Sequence, residues 1–151
     1  MRLLILAVGR QRAGPLKDIE RLYAERITIP LELREIEERR KLSPSEMKAR
    51  EGELLLAALP KGATVVALDG RGKQLSSADF AKRFDAWRQS SSDVAFVIGG
   101  AEGLADGVLK RASFVLSLGA MTWPHLLVRG MLLEQLYRAQ QILAGHPYHR
   151  G

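Results

Sequence analysis

The strongest constraint on this chain is a set of short apolar runs that each stop at glycine. The first, "RLLILAVG", carries no charge after Arg2 and ends at Gly9. A half-buried strand alternates apolar and polar residues. A run that is apolar throughout is a strand covered on both faces, as in the middle of a parallel sheet. "TVVALDG", "DVAFVIGG" and "SFVLSLG" read the same way, the first of these ending at Asp69 and Gly70. "LELREIE" alternates instead, which suits a half-covered strand near the sheet edge.

Helical patterns fill the gaps. "GPLKDIERLYAERIT" sets Leu16, Ile19, Leu22, Tyr23 and Ile27 at helical spacing. "SPSEMKAREGELLLAAL" opens on Ser43 as N-cap with Pro44 at the first helical position. "SSADFAKRFDAWRQS" begins with the capping pair Ser76 and Asp79, and Phe80, Phe84 and Trp87 share one face. A short helix is expected near "LADGVLKRA". A long one runs from Pro124 to about Leu143 and is stopped by Gly145. Strands alternating with helices predict a single α/β domain over residues 1–151, with a mostly parallel sheet and helices on both faces.

The chain has no cysteine, which excludes disulfides and thiolate metal sites; no metal is expected, and a reducing cytoplasm fits. The opening apolar run is too short to span a bilayer and lacks a signal-peptide cleavage site. Lysine plus arginine exceed aspartate plus glutamate by 23 to 17, a net charge of +6. Such a balance attracts polyanions, although it serves solubility equally well. The most charged stretch, "EIEERRKLSPSEMKARE", reads as a solvated loop and helix start, with Arg39, Arg40 and Lys41 as possible RNA contacts.

Ligands of open α/β sheets bind at the carboxyl ends of the strands. Three such ends stand out here: "ALDGRGK", "VIGGAEG" and "LSLGAMTWPH". "GRGKQ" lacks the spacer and the Ser/Thr of a P-loop, and "GGAEG" is not the dinucleotide fingerprint. The metalloprotease and nucleophile-elbow motifs are absent. A phosphatase-like or response-regulator-like site needs clustered acids at the strand ends, and only Asp69 qualifies. What the three ends share is glycine, notably Gly99, Gly100 and Gly103, which lets backbone approach a ligand closely. Main-chain groups in an apolar pocket suit an adenine ring.

Taken together, "ALDGRGKQLSSADFA", "FVIGGAEGL" and "LSLGAMTWPHLLVRGMLLEQLYRAQQILAGHPYHR" resemble the RlmH family of SPOUT-superfamily methyltransferases, over essentially the whole length. The resemblance implies an α/β fold whose C-terminal part forms a deep trefoil knot. It implies S-adenosylmethionine as cofactor and N3 of a pseudouridine in 23S ribosomal RNA, within the assembled ribosome, as target. It also implies a homodimer with each site at the interface. Carried onto this chain, Leu68, Gly99, Gly100 and Gly103 would shape the cofactor pocket, with Leu118, Gly119, Ala120, Met121, Thr122 and Trp123 as its last loop. The family often has a charged residue where Gly70 stands. The tail "HPYHRG" would recognise RNA and complete the site. Tyr148 would stack or donate a hydrogen bond, His149 would act as a base or bind phosphate, and Arg150 would clamp phosphate or a developing anion. His146 and Pro147 would direct the tail, or His146 would cap the last helix.

Two further residues have alternative readings. His125 is either a chemical group beside the pocket or a satisfied helix-start histidine, its cation disfavoured by the helix dipole. Arg129 holds either a phosphate, an acidic group of a partner or a structural ion pair. The last helix is also apolar over more than one stripe (Leu126, Leu127, Val128, Met131, Leu132, Leu133, Leu136, Tyr137, Ile142, Leu143), which the knot or a dimer would cover. The rival to catalysis is a non-catalytic RNA- or ribosome-binding α/β protein, which would explain the charge and the tail but not the glycine-bearing strand ends.

Overall fold

A computed structural model of the chain describes residues 1–150, so Gly151 lies outside the described residues. Ten elements alternate: β1 (Arg2–Val8), α1 (Pro15–Ala24), β2 (Leu31–Ile36), α2 (Pro44–Ala58), β3 (Thr64–Gln74), α3 (Ser77–Ser90), β4 (Asp93–Ile98), α4 (Asp106–Arg111), β5 (Phe114–Ser117) and α5 (His125–Leu143). The strands form one five-stranded sheet in the order β2-β1-β4-β3-β5, and every pairing is parallel. The alternating strand β2 is an edge strand, as its pattern demands. The uniformly apolar β1 and β4 are central, and both are buried along nearly their whole length.

Each sheet face has its own core. Leu3, Ile5, Val66, Phe96 and Ile98 meet Phe80 and Phe84 of α3 and Leu132, Leu133 and Leu136 of α5. On the opposite face Leu4, Leu6, Val65 and Val97 meet Leu55 of α2 and Val108 of α4. The helix starts follow the expected chemistry. Ser43 and Glu46 form a reciprocal capping box ahead of Pro44, and Ser76 Oγ accepts the Asp79 N–H at 3.1 Å. At the far end of α5, Gly145 (φ 72°) donates to the Ile142 carbonyl and His146 N–H to the Gln141 carbonyl. This is a Schellman closure, so the backbone of His146, not its imidazole, caps the helix.

Two features depart from expectation. Strand β3 does not end at Asp69–Gly70: it continues to Gln74, and its register against β5 shifts between Leu68 and Lys73. Gly72 permits this, because a Cβ there would stand 2.4 Å from the Val115 carbonyl oxygen. In α1, Ile19 and Leu22 have the expected spacing yet are exposed. After β5, at one edge, the chain turns back. Helix α5 then crosses the sheet and packs on α3 and α1, and Arg129 reaches β1 and β2 near the other edge.

Candidate active site

The carboxyl ends of β3, β4 and β5 meet around a cleft of about 470 Å³, a volume typical of small-molecule sites. All ten residues expected to form a cofactor pocket line it: Leu68 at the end of the regular part of β3; Gly99, Gly100 and Gly103 after β4; and Leu118, Gly119, Ala120, Met121, Thr122 and Trp123 between β5 and α5. Asp69, Gly70, Ile98, Ala101, Leu116, Pro124, His125 and Val128 complete the lining. Several of these flank expected residues in the chain and were accessible by proximity. Val128 was not, because only the direction of α5 turns it toward the cleft.

The glycines act in two ways. Gly103 (φ 80°) and Gly119 (φ 116°) adopt backbone conformations that other residues resist, and a Cβ on either would meet nothing within 4 Å. Gly99 and Gly100 instead allow close packing behind the cleft. A Cβ on Gly99 would stand 2.8 Å from Gly103, and one on Gly100 would stand 2.9 Å from Val8 Cγ1. The β5–α5 loop is tied internally: Ser117 Oγ accepts the Gly119 N–H at 3.2 Å and donates to the Gly119 carbonyl at 3.1 Å, and Trp123 Nε1 donates to the Leu118 carbonyl at 3.2 Å. Gly119's own polar groups are thus engaged in shaping the loop.

The electrostatics of the cleft are unusual for so basic a chain. No lysine or arginine lines it. Its one histidine, His125, has a pKa lowered by burial and by the neighbouring Arg129 guanidinium, so the ring is neutral at neutral pH. Its one carboxylate, Asp69, is held ionised and below the usual range by Arg71, whose Nε lies 2.8 Å away. Both oxygens of Asp69 are engaged by Arg71, so the cleft is close to neutral and largely apolar, and it offers a phosphate no cationic side chain.

Arg129 does not face this cleft as a phosphate clamp. It is fully buried. Its Nη1 lies 2.6 Å from Glu35 Oε2, and its Nη2 donates to the Gly9 and Val8 carbonyls at 2.9 and 3.2 Å. Glu20 stands 4.0 Å away. The structural ion pair is the reading that survives, and burial excludes the phosphate reading. Arg39 and Arg40 are likewise paired within the chain, with Glu37 and Glu38. Glu38, also bonded by Arg50, is held down at about 2.

The tail folds back on its own helix. The Tyr148 hydroxyl donates to Glu134 Oε2 at 3.0 Å, and its ring packs edge-on to Tyr137 with centroids 4.7 Å apart and lies under the Arg138 guanidinium. Burial and the Glu134 carboxylate push Tyr148 up to about 12, so its phenol stays protonated. Arg138 Nη1 lies 3.0 Å from His149 Nδ1. Guanidinium only donates, so Nδ1 accepts and the ring proton of neutral His149 sits on Nε2. Arg150 reaches the Pro147 carbonyl at 3.5 Å. None of these tail residues lines the cleft. Arg138 stands 13 residues beyond His125 on the same helix, about 20 Å along its axis. Within one chain, the tail does not reach the cleft.

A second cleft, of about 530 Å³, lies between α1, the start of α3 and α5, with Ile19, Tyr23, Leu127, Gly130, Met131 and Glu134 in its walls. It adjoins the exposed apolar side chains of α1. Among the described residues no group of three or more His, Cys, Asp or Glu side chains could hold a metal ion, and no helix is long and apolar enough to cross a membrane.

Comparison with known proteins adds the family. The model of predicted SPOUT methyltransferases matches residues 1–149. The ribosomal RNA large subunit methyltransferase H of Rhodospirillum centenum is 58% identical over 152 residues, covering 100% of both chains. Its counterpart in Paramagnetospirillum magneticum is 58% identical over 151 residues, covering 99% of each. Among solved structures, a probable methylase family protein from Haemophilus influenzae superposes with a TM-score of 0.56 at 12% identity, over 99% of this chain and 70% of that one. That last likeness is one of fold alone.

Proposed function

This chain belongs to the SPOUT methyltransferase family, and from that premise we propose that it transfers a methyl group from S-adenosylmethionine to N3 of a pseudouridine in 23S ribosomal RNA, acting on the assembled ribosome in the cytoplasm. The SPOUT fold is knotted near its C-terminus, and α5 crossing back from the β5 edge is the segment concerned. The observation that carries the reading is the charge of the cleft. It offers apolar walls in Leu68, Ile98, Leu116 and Val128, space free of side chain at Gly103 and Gly119, one carboxylate already paired with Arg71, a neutral histidine and no cationic side chain. A nucleoside that carries no phosphate fits that near-neutral, apolar environment. The non-catalytic RNA-binding reading leaves the cleft without a purpose.

S-Adenosylmethionine supplies a methyl carbon on a good leaving group, so no covalent enzyme intermediate is required and the protein's contribution is largely alignment. The loop Leu118–Trp123, tied by Ser117 and Trp123, holds the cofactor side fixed. The acceptor nitrogen carries a proton that must leave before attack. The one hydroxyl proton of Tyr148 is held by Glu134, so Tyr148 donates to RNA only by exchanging that partner, whereas His149 presents an Nε2–H and Arg150 is a guanidinium; the tail is thus a set of donors. Donors aimed at the carbonyls flanking the ring nitrogen stabilise its anion as it forms. The role we assign to Tyr148, His149 and Arg150 is this electrostatic one, with proton removal left to solvent.

The folded-back tail supports a homodimer in which the tail of one subunit serves the cleft of its partner. The exposed Ile19 and Leu22 and the α1–α5 cleft are the surface that a second copy would cover. Two measurements test the function. Calorimetry should show one S-adenosylmethionine per subunit. Labelled methyl should enter assembled ribosomes far faster than free rRNA and map to a pseudouridine N3. Cofactor binding without label in 23S rRNA would remove the proposed substrate.

A further inference from the structure

The arginines of this protein differ in what holds them. Arg2, Arg34, Arg39, Arg40, Arg50, Arg71, Arg88 and Arg138 each lie against a carboxylate of the same chain. Among those without an ion pair, Arg26 and Arg83 lie over aromatic rings and Arg111 and Arg150 reach backbone carbonyls. Arg21 on α1, and Arg10 and Arg12 in the loop between β1 and α1, are exposed and hold no such partner among the described residues. Of these three, Arg10 and Arg12 stand in a loop at the carboxyl end of a strand.

The loop that carries them is nonetheless held firmly. Gln11, between the two arginines, is buried. Its N–H donates to Glu35 Oε2 at 2.7 Å and its Nε2 to the Leu126 carbonyl at 2.9 Å. Gly9 (φ 101°) donates to the Ile36 carbonyl at 2.8 Å, and its own carbonyl receives Arg129 Nη2. Glu35, the acid that this loop contacts, is engaged by the Gln11 N–H and by Arg129. With Gln11 turned inward, Arg10 and Arg12 point outward on either side of it.

The loop is also on the working side of the sheet. Ala7 of β1 is in register with Ile98 of β4, so the chain leaves β1 beside Gly99 and Gly100 of the cleft. A Cβ on Gly9 would stand 3.4 Å from Nε2 of His125, which lines that cleft. Gln11 is bonded to the first turn of α5, immediately after His125. Two unneutralised guanidiniums are thus displayed at fixed positions beside a cleft that itself contains no cation.

We propose that Arg10 and Arg12 are the RNA-docking residues of this site, binding backbone phosphates of the substrate hairpin and so positioning the target base over the cleft. The proposal rests on the reading of the substrate as ribosomal RNA, and it divides the labour: cation-free cleft for the cofactor, pinned basic loop for the phosphates.

The test is the double variant Arg10→Gln/Arg12→Gln, set against Lys61→Gln/Lys110→Gln, which removes the same charge near the amino ends of the strands. The loop variant should bind S-adenosylmethionine as the unsubstituted protein does. Its KM for ribosomes should rise about tenfold, with kcat at saturation within about twofold, and the slope of log KM against log salt should fall by about 1 to 2. Arg10→Lys/Arg12→Lys should restore most of the loss, since a phosphate accepts either cation. A loop variant that matches the lysine control in KM and salt slope would overturn the proposal. Co-sedimentation with ribosomal subunits gives a readout independent of catalysis. If the unsubstituted protein sediments but transfers no methyl, the proposed function fails, and the loop is judged by whether its variant sediments less. If the unsubstituted protein neither sediments nor transfers methyl, both proposals fall; if it transfers methyl without sedimenting, the KM and salt slope of the loop variant decide.

Discussion

At the scale of single residues, Arg129 shows how a buried charge ties remote segments together. It links α5 to Glu35 across 94 positions of sequence and binds the last carbonyls of β1. Replacing it with methionine would leave Glu35 and Glu20 without their cation and two carbonyls without a donor, a loss of about 3 kcal/mol. Urea denaturation should report it, and an unchanged midpoint would contradict this account. Glu51 is the opposite case. Its carboxyl packs against Gly100, Oε1 has no hydrogen-bond partner, and burial with repulsion from Glu102 raises its pKa. With the folded-state value above the unfolded one, folded protein holds a proton that unfolded protein has released. Stability is therefore lost as pH rises from the ordinary carboxylate value through the raised one. Glu51→Gln should flatten that decline and raise the urea midpoint at neutral pH; an equal or lower midpoint would refute the assignment. The sequence decides the role of neither residue. Arg129 was open between phosphate, partner acid and internal ion pair, because its carboxylates come from strands and helices that only the fold brings near. Glu51 sits in a charged helix where nothing distinguishes the one carboxyl that turns inward.

At the scale of elements, the apolar runs and capping signals were legible because each depends on neighbouring residues. Buried strands, the edge position of β2, the N-cap at Ser43 and the stop at Gly145 all follow from local pattern. The true extent of β3 was not legible. "GRGK" is polar and rich in glycine, as turns are, and only pairing with β5 makes it strand. This gives a contrast between two glycines. At Gly72 a Cβ would collide with the Val115 backbone, whereas at Gly70 it would meet nothing within 4 Å, and φ there is ordinary. Gly72→Ala should lower the melting temperature and weaken S-adenosylmethionine binding, because β3 and β5 form two of the cleft's three walls. Gly70→Ala should change stability by less than about 0.5 kcal/mol. Thermal melts and calorimetry on the pair decide the matter, and equal behaviour would mean that the β3 extension does not support the site.

At the scale of the whole molecule, the question is how the tail and the cleft come together. Sequence order placed "HPYHR" soon after the cleft loop, but α5 carries it about 20 Å away, and there it bonds Glu134 and Arg138 of its own helix. Resemblance to a family supplied the expectation of a shared site. No pattern in one chain can state which subunit's tail serves which cleft. Deleting residues 148–151 should leave S-adenosylmethionine binding intact and abolish methylation. Ala120→Trp, which fills the cleft from an exposed loop position without backbone strain, should abolish cofactor binding and leave the tail whole. Co-expressed with separate tags, the two inactive chains should form mixed dimers in which one of the two sites pairs an intact cleft with an intact tail. Random pairing makes half of the dimers mixed, so activity should return to about a quarter of the unsubstituted level. A tail acting on its own subunit's cleft would give no recovery, since neither chain then holds both parts. Recovery after mixing, with neither chain active alone, requires that the active site be built from two subunits.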